Sequence, residues 1–143
     1  MTATYEKLGV KFLYPENWKL TDGMDSTLPA SISLESPDGN AFWSVHVYPD
    51  DADPDEILKS TVVTLQETYP DLEVTSIKTD FEDRPGTCIE CLFFCLDFLI
   101  RVRLQVIKTD QHQLLFWFQA EDREFDELEL VFKAMATSVL SDG

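Results

Sequence analysis

The sequence predicts an α+β sandwich in which strands come first, a helix follows, antiparallel strands come next and a second helix closes the chain. Three observations lead to this prediction: a capped helix after Asp53, an amphipathic helix from about Arg123 to Ser138, and alternating strands across residues 87–120. At 143 residues, with 44% hydrophobic and 12% aromatic residues, the chain can form a core of its own. We therefore predict that residues 1–143 are one domain.

The first predicted element is a short strand from Val10 to Tyr14 in an aromatic-rich segment. Pro15 fixes its own φ and favours an extended conformation for the residue before it, so the strand should end there. The chain is then expected to return to the protein body at Trp18. Phe12, Tyr14 and Trp18 are predicted to anchor the start of the chain in the core.

A β-hairpin is predicted next, because two alternating segments flank a turn sequence. The segments are Ala30 to Ser36 and Ala41 to Tyr48, and the turn is Pro37-Asp38-Gly39-Asn40. Asp-Gly at the centre of such a turn is a strong hairpin signal. Further along, Val74 to Phe81 reads as another strand, which ends at the turn residues Asp83 to Gly86.

The best-marked helix begins after Asp53. Asp53 is a good N-cap residue, Pro54 suits the first helical position, and Glu56 stands at the capping-box spacing. Apolar side chains and one threonine then recur at helical spacing on one face, and Tyr69-Pro70 ends the helix. The second helix carries an apolar stripe that consists of Phe125, Leu128, Val131, Phe132 and Met135.

The run across residues 87–120 is too long for one strand, so we divide it by its faces. A two-residue turn at Leu96-Asp97 places Glu90 opposite Arg103. Because side chains alternate along a strand, this register puts a wholly apolar set on one face and the charged residues on the other. A second turn near residues 109–112 leads into the next strand.

Three closely spaced cysteines, Cys88, Cys91 and Cys95, resemble a metal-binding motif. A zinc or iron–sulfur site needs thiolates that converge, whereas on a strand Cys88 would point away from the other two. We expect all three to pack as small apolar side chains. An odd number of cysteines also fits a reducing compartment better than a disulfide framework.

The acidic run from Asp50 to Glu56 partly matches a calcium-binding EF-hand loop. Its sixth position is Glu56 and its twelfth is Val62, where the loop needs glycine and glutamate. Helix capping explains Asp53 and Glu56 better, and acids near a helix N-terminus are favourable with its dipole. We therefore predict no metal and no other cofactor.

Glu90, Arg101 and Arg103 form a charged cluster on the sheet face opposite the apolar one. The cluster can be a polar binding site for an acidic group, lined also by aromatic side chains such as Trp43 or Trp117. It can equally be a set of cross-strand pairs, each of which stabilises a sheet by about 0.2–1 kcal/mol. Pairing is the favoured interpretation, and the three charged residues are kept as binding candidates.

The net charge of −16, from 27 acidic and 11 basic residues, restricts the possible partners. Nucleic acids and anionic membranes would be repelled, whereas a basic partner or simple solubility is compatible with this charge. No signal-peptide pattern and no membrane-spanning apolar stretch is visible, so we expect a cytoplasmic protein. Phosphate-binding glycine loops and serine nucleophile elbows are also absent, so we do not expect an enzyme.

The aromatic-Pro-x-x-Trp segment, with Phe12, Tyr14, Pro15 and Trp18, resembles the opening of PsbP-like domains. The hairpin, the capped helix, the long antiparallel strands and the late helix introduced by residues 121–125 are similar too. That group includes a photosystem extrinsic protein, a Ran-binding nuclear-transport factor and bacterial proteins, some of them secretion chaperones. The resemblance implies a three-layer α/β/α sandwich around a mainly antiparallel sheet, and a non-catalytic, partner-binding role.

Two classes of function are expected as alternatives. The first is a protein-binding module, monomeric or homodimeric, of which a chaperone or adaptor for apolar segments of a secreted effector is a more specific version. That version needs an exposed apolar sheet face or groove. The second is a small-ligand or enzymatic site near Arg101, Arg103 and Glu90, which needs a concave pocket with convergent polar groups.

Overall fold

The structure, a computed structural model, describes residues 2–7, 10–22, 30–77 and 87–142. Within these residues, strands and helices follow one another in the order β1 (Thr2–Lys7), β2 (Val10–Pro15), β3 (Lys19–Asp22), β4 (Ala30–Glu35), β5 (Phe42–Pro49), α1 (Pro54–Thr68), β6 (Glu73–Ile77), β7 (Thr87–Cys95), β8 (Phe98–Lys108), β9 (His112–Glu121) and α2 (Asp122–Asp142). The predicted strand Val74 to Phe81 corresponds to β6. Its last four residues and the turn at Asp83 to Gly86 lie outside the described residues.

Seven strands form one antiparallel sheet in the order β3-β4-β5-β9-β8-β7-β6, and β1 pairs with β2 in a separate two-stranded ribbon. The predicted register across the Leu96-Asp97 turn is confirmed, because Glu90 lies opposite Arg103 and Leu92 lies opposite Arg101. The predicted hairpin of β4 and β5 is confirmed as well.

Helices cover the two faces of the sheet, and each face carries its own hydrophobic cluster. On one face, α2 and the β1-β2 ribbon pack against apolar side chains of β4, β5 and β9. On the other face, α1 packs against apolar side chains of β7, β8 and β9. The predicted α/β/α sandwich is therefore the observed architecture. Within the described residues, no helix is long and apolar enough to cross a membrane.

The ends of the helices follow their predicted signals closely. The Asp53 carboxylate accepts a hydrogen bond of 2.9 Å from the backbone N–H of Asp55, which makes it the N-cap of α1. At the other end, the backbone N–H of Tyr69 donates to the carbonyl oxygen of Leu65 at 2.8 Å. Helix α2 extends a few residues beyond the predicted range at its C-terminal end.

The aromatic segment at the start of the chain is a core anchor, as predicted. The turn after β2 is closed by a 3.0 Å hydrogen bond from the N–H of Trp18 to the carbonyl oxygen of Pro15. Phe12 is fully buried, with its ring 5.3 Å from Tyr5 and 5.1 Å from Trp43 between centroids. These aromatic side chains are held in the interior of the domain, where they tie the ribbon to the sheet.

Candidate functional site

The charged cluster predicted on the sheet lies beneath helix α2. Arg103 pairs with Glu90 across β7 and β8, with its Nε and Nη2 atoms 3.1 and 2.8 Å from Oε2. Its Nη1 atom lies 2.8 Å from Oε2 of Glu129 on α2, and its side chain is only 9% exposed. Burial raises the pKa of Glu129, but Arg103 and then Lys133 outweigh that effect, so the pKa is lowered overall.

Arg101 binds the first turns of the same helix. Its Nε atom donates to Asp122 at 2.8 Å, and its Nη1 atom lies 3.3 Å from Asp126. Both this guanidinium and that of Arg103 lie over the Phe125 ring, at 5.1 and 5.0 Å from its centroid. Carboxylates of the chain itself therefore take up the hydrogen-bonding capacity of the two arginines, and the geometry fits a structural role.

The two tryptophans proposed to line a pocket with the arginines lie apart from each other. Trp43 is fully buried on the α2 face, among core aromatics. Trp117 lies on the α1 face, where its indole N–H donates to Oε1 of Gln119 at 2.9 Å. They do not form one concave site with Arg101 and Arg103.

A serine–histidine pair, which the sequence did not single out, lies on β5. The Oγ atom of Ser44 is 3.0 Å from Nε2 of His46, and burial lowers the pKa of His46. The neighbours of His46 across the sheet are Ser31 and Leu115, neither of which can supply a carboxylate. Ser44 is also fully buried, so its hydroxyl cannot reach a substrate as a nucleophile.

The cysteines occupy the positions that strand alternation predicts. Cys88 lies opposite Gln105 and Cys91 opposite Val102, on opposite faces of the sheet. Burial, and then the charge of Glu90, raises the pKa of Cys91 to about 11, so its thiol is unreactive. Within the four described ranges, no three or more His, Cys, Asp or Glu side chains are grouped so as to hold a metal ion.

The largest exposed apolar side chains near one end of the sheet belong to the β7-β8 hairpin. Phe94, Leu96 and Phe98 are 70%, 90% and 54% exposed, and together they form what we call the hairpin tip. Leu96 has a φ of 56°, in the left-handed region that two-residue hairpin turns require and that glycine or asparagine usually fills.

A groove of about 430 Å³ runs along one side of the hairpin tip, and we call it the edge groove. The C-terminal end of α1, the turn that follows it and the end of β7 form its walls, with Leu72, Phe94 and Leu99 among its lining residues. The rings of Tyr69 and Phe93 stack there at 4.0 Å between centroids, which fixes the turn against the hairpin.

Two smaller hollows lie on the other side of the hairpin tip, and together we call them the acidic groove. The nearer hollow, of about 220 Å³, lies against Leu96, Phe98 and Ile100, with Glu121 and Glu124 at its rim. The second, of about 380 Å³, shares the lining residue Glu124 with the first, so the two are neighbours. Its lining residues are Trp18, Ser36, Pro37, Asp38, Glu124, Glu127 and Leu128.

Comparisons with known proteins identify the fold. No protein-family model matches the chain, and no curated protein sequence matches it. The solution structure of cyanobacterial PsbP (CyanoP) from Synechocystis sp. PCC 6803 is similar over 96% of this chain and 90% of that chain, with a TM-score of 0.67 and 14% identity. PA94, a protein of unknown function from Pseudomonas aeruginosa, is similar over 97% of this chain and 95% of that chain, with a TM-score of 0.52 and 10% identity.

The chain therefore has a PsbP-like α+β fold, as the aromatic-Pro-x-x-Trp segment and the order of elements implied. At these identities the likeness is one of fold, and one fold can carry many functions. Function therefore depends on the surface that this chain itself presents.

Proposed function

We propose that this chain is a non-catalytic, cytoplasmic protein-binding module whose contact surface is the hairpin tip. The observation that supports this proposal is that Phe94, Leu96 and Phe98 are all exposed around one hairpin turn at the end of the sheet. Large exposed apolar surface on a protein marks interaction sites. Burial of that surface by a partner would favour binding by about 25 cal/mol per Å².

The backbone at the hairpin tip supports the same proposal. A leucine held at a positive φ costs about 1–2 kcal/mol relative to a residue that tolerates the left-handed region. In the unbound chain, Leu96 thus makes two unfavourable contributions. The first is its backbone conformation, and the second is the contact of its 90% exposed apolar side chain with water. A partner that buries Leu96 offsets the second contribution.

The hairpin is also a rigid support for such a contact. Strands β7 and β8 are paired along their full length up to Cys95 and Phe98, so the turn is held at the end of a continuous ladder. Phe93 is buried beneath it on the α1 face. A preorganised surface loses little conformational entropy on binding, which favours affinity.

The polar clusters give little support to catalysis. Arg101 and Arg103 are paired with carboxylates of the chain, and Ser44 is buried beside an imidazole that has no carboxylate partner across the strands. An enzymatic site near Arg101, Arg103 and Glu90 would first require α2 to move off the sheet. A binding function needs no such rearrangement.

Photo-crosslinking tests the proposal directly. We would replace Leu96 with p-benzoylphenylalanine and irradiate the protein in a lysate of the cells that produce it. The matched control carries the same replacement at Leu130, which is 77% exposed on α2 and lies far from the hairpin tip in sequence. We expect a specific adduct only from position 96, and expect that excess wild-type protein suppresses it whereas excess Leu96→Asn protein does not. Identical adducts from both positions, or none from position 96, would contradict the proposal.

A chaperone for apolar segments is a second candidate, and the edge groove favours it. The groove is lined by apolar side chains such as Leu72 and Leu99, and Phe94 of the hairpin tip lies along it. Suppression of the aggregation of reduced insulin B chain, followed by light scattering, tests this function. We expect Phe94→Asp to reduce suppression and Leu130→Asp to leave it unchanged. No suppression by the wild-type protein at a molar excess would exclude this candidate.

A further inference from the structure

We propose that the partner binds through a protein segment in which an apolar side chain is followed or preceded closely by a lysine or arginine. The apolar side chain contacts the hairpin tip, and the basic side chain lies in the acidic groove. This inference rests on the proposed binding function of the hairpin tip and adds the chemistry of the partner.

The acidic groove is continuous with the hairpin tip. Leu96 and Phe98 belong to both, so an apolar side chain that contacts the tip also reaches the nearer hollow. Glu124 lines both hollows, so a basic side chain that reaches Glu124 from the tip lies next to the hollow lined by Trp18 and Leu128. One extended segment can therefore contact the apolar tip and the acidic hollow at the same time.

The charges around the second hollow are negative. Asp38 is held as a carboxylate by hydrogen bonds from the Ser36 hydroxyl at 2.6 Å and from the Asn40 backbone N–H at 3.0 Å. Those hydrogen bonds lower the pKa of Asp38. Within the part of the chain that the structure describes, no cation pairs with Glu124 or Glu127.

A basic side chain suits both the floor and the rim of this hollow. Lysine and arginine lay their methylene stems on apolar surface while the charged head stays with water or carboxylates. Trp18 and Leu128 offer the apolar surface, and Asp38, Glu124 and Glu127 offer the carboxylates. Of the basic residues that adjoin these lining residues in the sequence, Arg123 is paired with Glu121 at 3.1 Å, and Lys19 lies opposite Glu35 in the pairing of β3 with β4.

The same charges disfavour the other possible occupants. A second copy of this chain would bring one net charge of −16 against another, and a two-fold contact would place like charges together. Nucleic acids and anionic lipid surfaces carry the same sign as the groove. A cationic protein segment is the occupant that charge complementarity selects.

Selection from a random peptide library displayed on phage tests the proposal. Wild-type protein is the bait, and enriched peptides are synthesised and titrated by fluorescence anisotropy. We expect them to combine an aromatic or aliphatic residue with a nearby lysine or arginine. The groove variant neutralises the three carboxylates without changing their size and consists of Asp38→Asn, Glu124→Gln and Glu127→Gln.

A distal control variant distinguishes the effect of the groove carboxylates on binding from the effect of the overall negative charge of the protein. It removes three carboxylates at the opposite end of the sheet and consists of Asp51→Asn, Asp55→Asn and Asp110→Asn. We expect the groove variant to weaken peptide binding about tenfold at low salt, as the sum of three partly exposed ion pairs. The distal control should change the affinity little, and added salt should narrow the gap between wild type and groove variant.

Each result has a distinct meaning. If Leu96→Asn abolishes binding but the groove variant binds as tightly as wild type, the inference is wrong and the proposed function stands. If Leu96→Asn has no effect, the proposed function fails too. Equal losses in the groove variant and the distal control, a lack of enriched peptides, or a dimer that Leu96→Asn dissociates would each overturn the inference.

Discussion

Leu96 is the residue at which stability and function are expected to oppose each other. Its side chain is 90% exposed, so its removal forfeits almost no buried surface. Its φ of 56° is a conformation that asparagine and glycine adopt more readily than leucine. The leucine therefore has no stabilising role that the described contacts explain.

We expect Leu96→Asn to raise the free energy of unfolding by about 1 kcal/mol, because asparagine tolerates the left-handed region. Urea denaturation followed by far-ultraviolet circular dichroism measures the change. Leu130→Asn, in the middle of α2, is the control, and it should lower stability slightly through helix propensity. A loss of stability in Leu96→Asn would show that the side chain makes contacts that its exposure does not suggest.

Arg103 is the residue on which the contact between α2 and the sheet most depends. Replacement by methionine removes the cation that is hydrogen-bonded to Glu90 and leaves Glu129 with only the more distant Lys133, beneath a helix that partly excludes water. We expect Arg103→Met to cost about 2–3 kcal/mol. Arg123→Met removes a cation that is 87% exposed and should change stability by less than about 0.5 kcal/mol. Both are measured by urea denaturation at neutral pH.

The cost of Arg103→Met should shrink in acid. The pKa of Glu129 is lowered from its ordinary value of 4.5 in the folded protein. A lowered folded-state pKa gives stability that is complete above that ordinary value and is lost as the pH falls through the folded pKa. Denaturation of wild type and Arg103→Met at neutral pH and below pH 4 should therefore show a smaller difference in acid. A constant difference would mean that the Arg103 contribution is mainly packing against Phe125.

At the level of elements, α1 depends on its N-cap. We expect Asp53→Ala to lower the free energy of unfolding by about 1 kcal/mol, because it removes the acceptor for the Asp55 N–H. Asp53→Ser should retain most of the stability, since serine also caps helices well. Asp51→Ala, two residues earlier, makes a control of the same chemistry. Thermal unfolding distinguishes the three variants, and equal losses in Asp51→Ala and Asp53→Ala would contradict the capping role.

The elements that sequence patterns predicted well are those whose side chains reach a core. The register of β7 and β8 followed from alternation, because a slip by one residue would move Arg103 to the apolar face under α1 and Leu104 to the charged face under α2. Strands β1 and β3 were not predicted. Among the β1 side chains whose burial the structure describes, residues 2–6, Tyr5 alone is buried, and β3 is four residues long, so neither strand shows a clear hydrophobic periodicity.

The candidate site was only partly predictable for a related reason. Alternation assigns Phe94 and Phe98 to faces of the sheet, but it does not show where the covering helices end. Both phenylalanines lie beyond that cover, and they are exposed although their sequence context is that of a buried strand. The positive φ of Leu96 had no sequence signal, because leucine is not a residue that turn statistics place there.

For the molecule as a whole, the net charge of −16 is a source of self-repulsion in the compact state. We expect the urea midpoint to rise as sodium chloride is increased to about 0.2 M, because repulsion between exposed charges that are farther apart than the Debye length, about 10 Å or less, is then largely screened. The distal control, with three fewer carboxylates, should show a weaker dependence. A midpoint that falls with salt would mean that ion pairs such as that of Arg103 with Glu90 outweigh the net repulsion.

The two hydrophobic clusters, which lie on opposite faces of the sheet, are unequal in size. Among the described residues, 21 buried side chains form the cluster under α2 and 10 form the cluster under α1. A smaller buried cluster makes local opening less costly, so amides of α1 and the edge strand β6 should exchange with deuterium before those of α2 and β9. The edge groove lies beside the C-terminal end of α1, and the acidic groove lies beside the first turns of α2. We therefore expect the hairpin tip to lie between a layer that opens more readily and a layer that opens later.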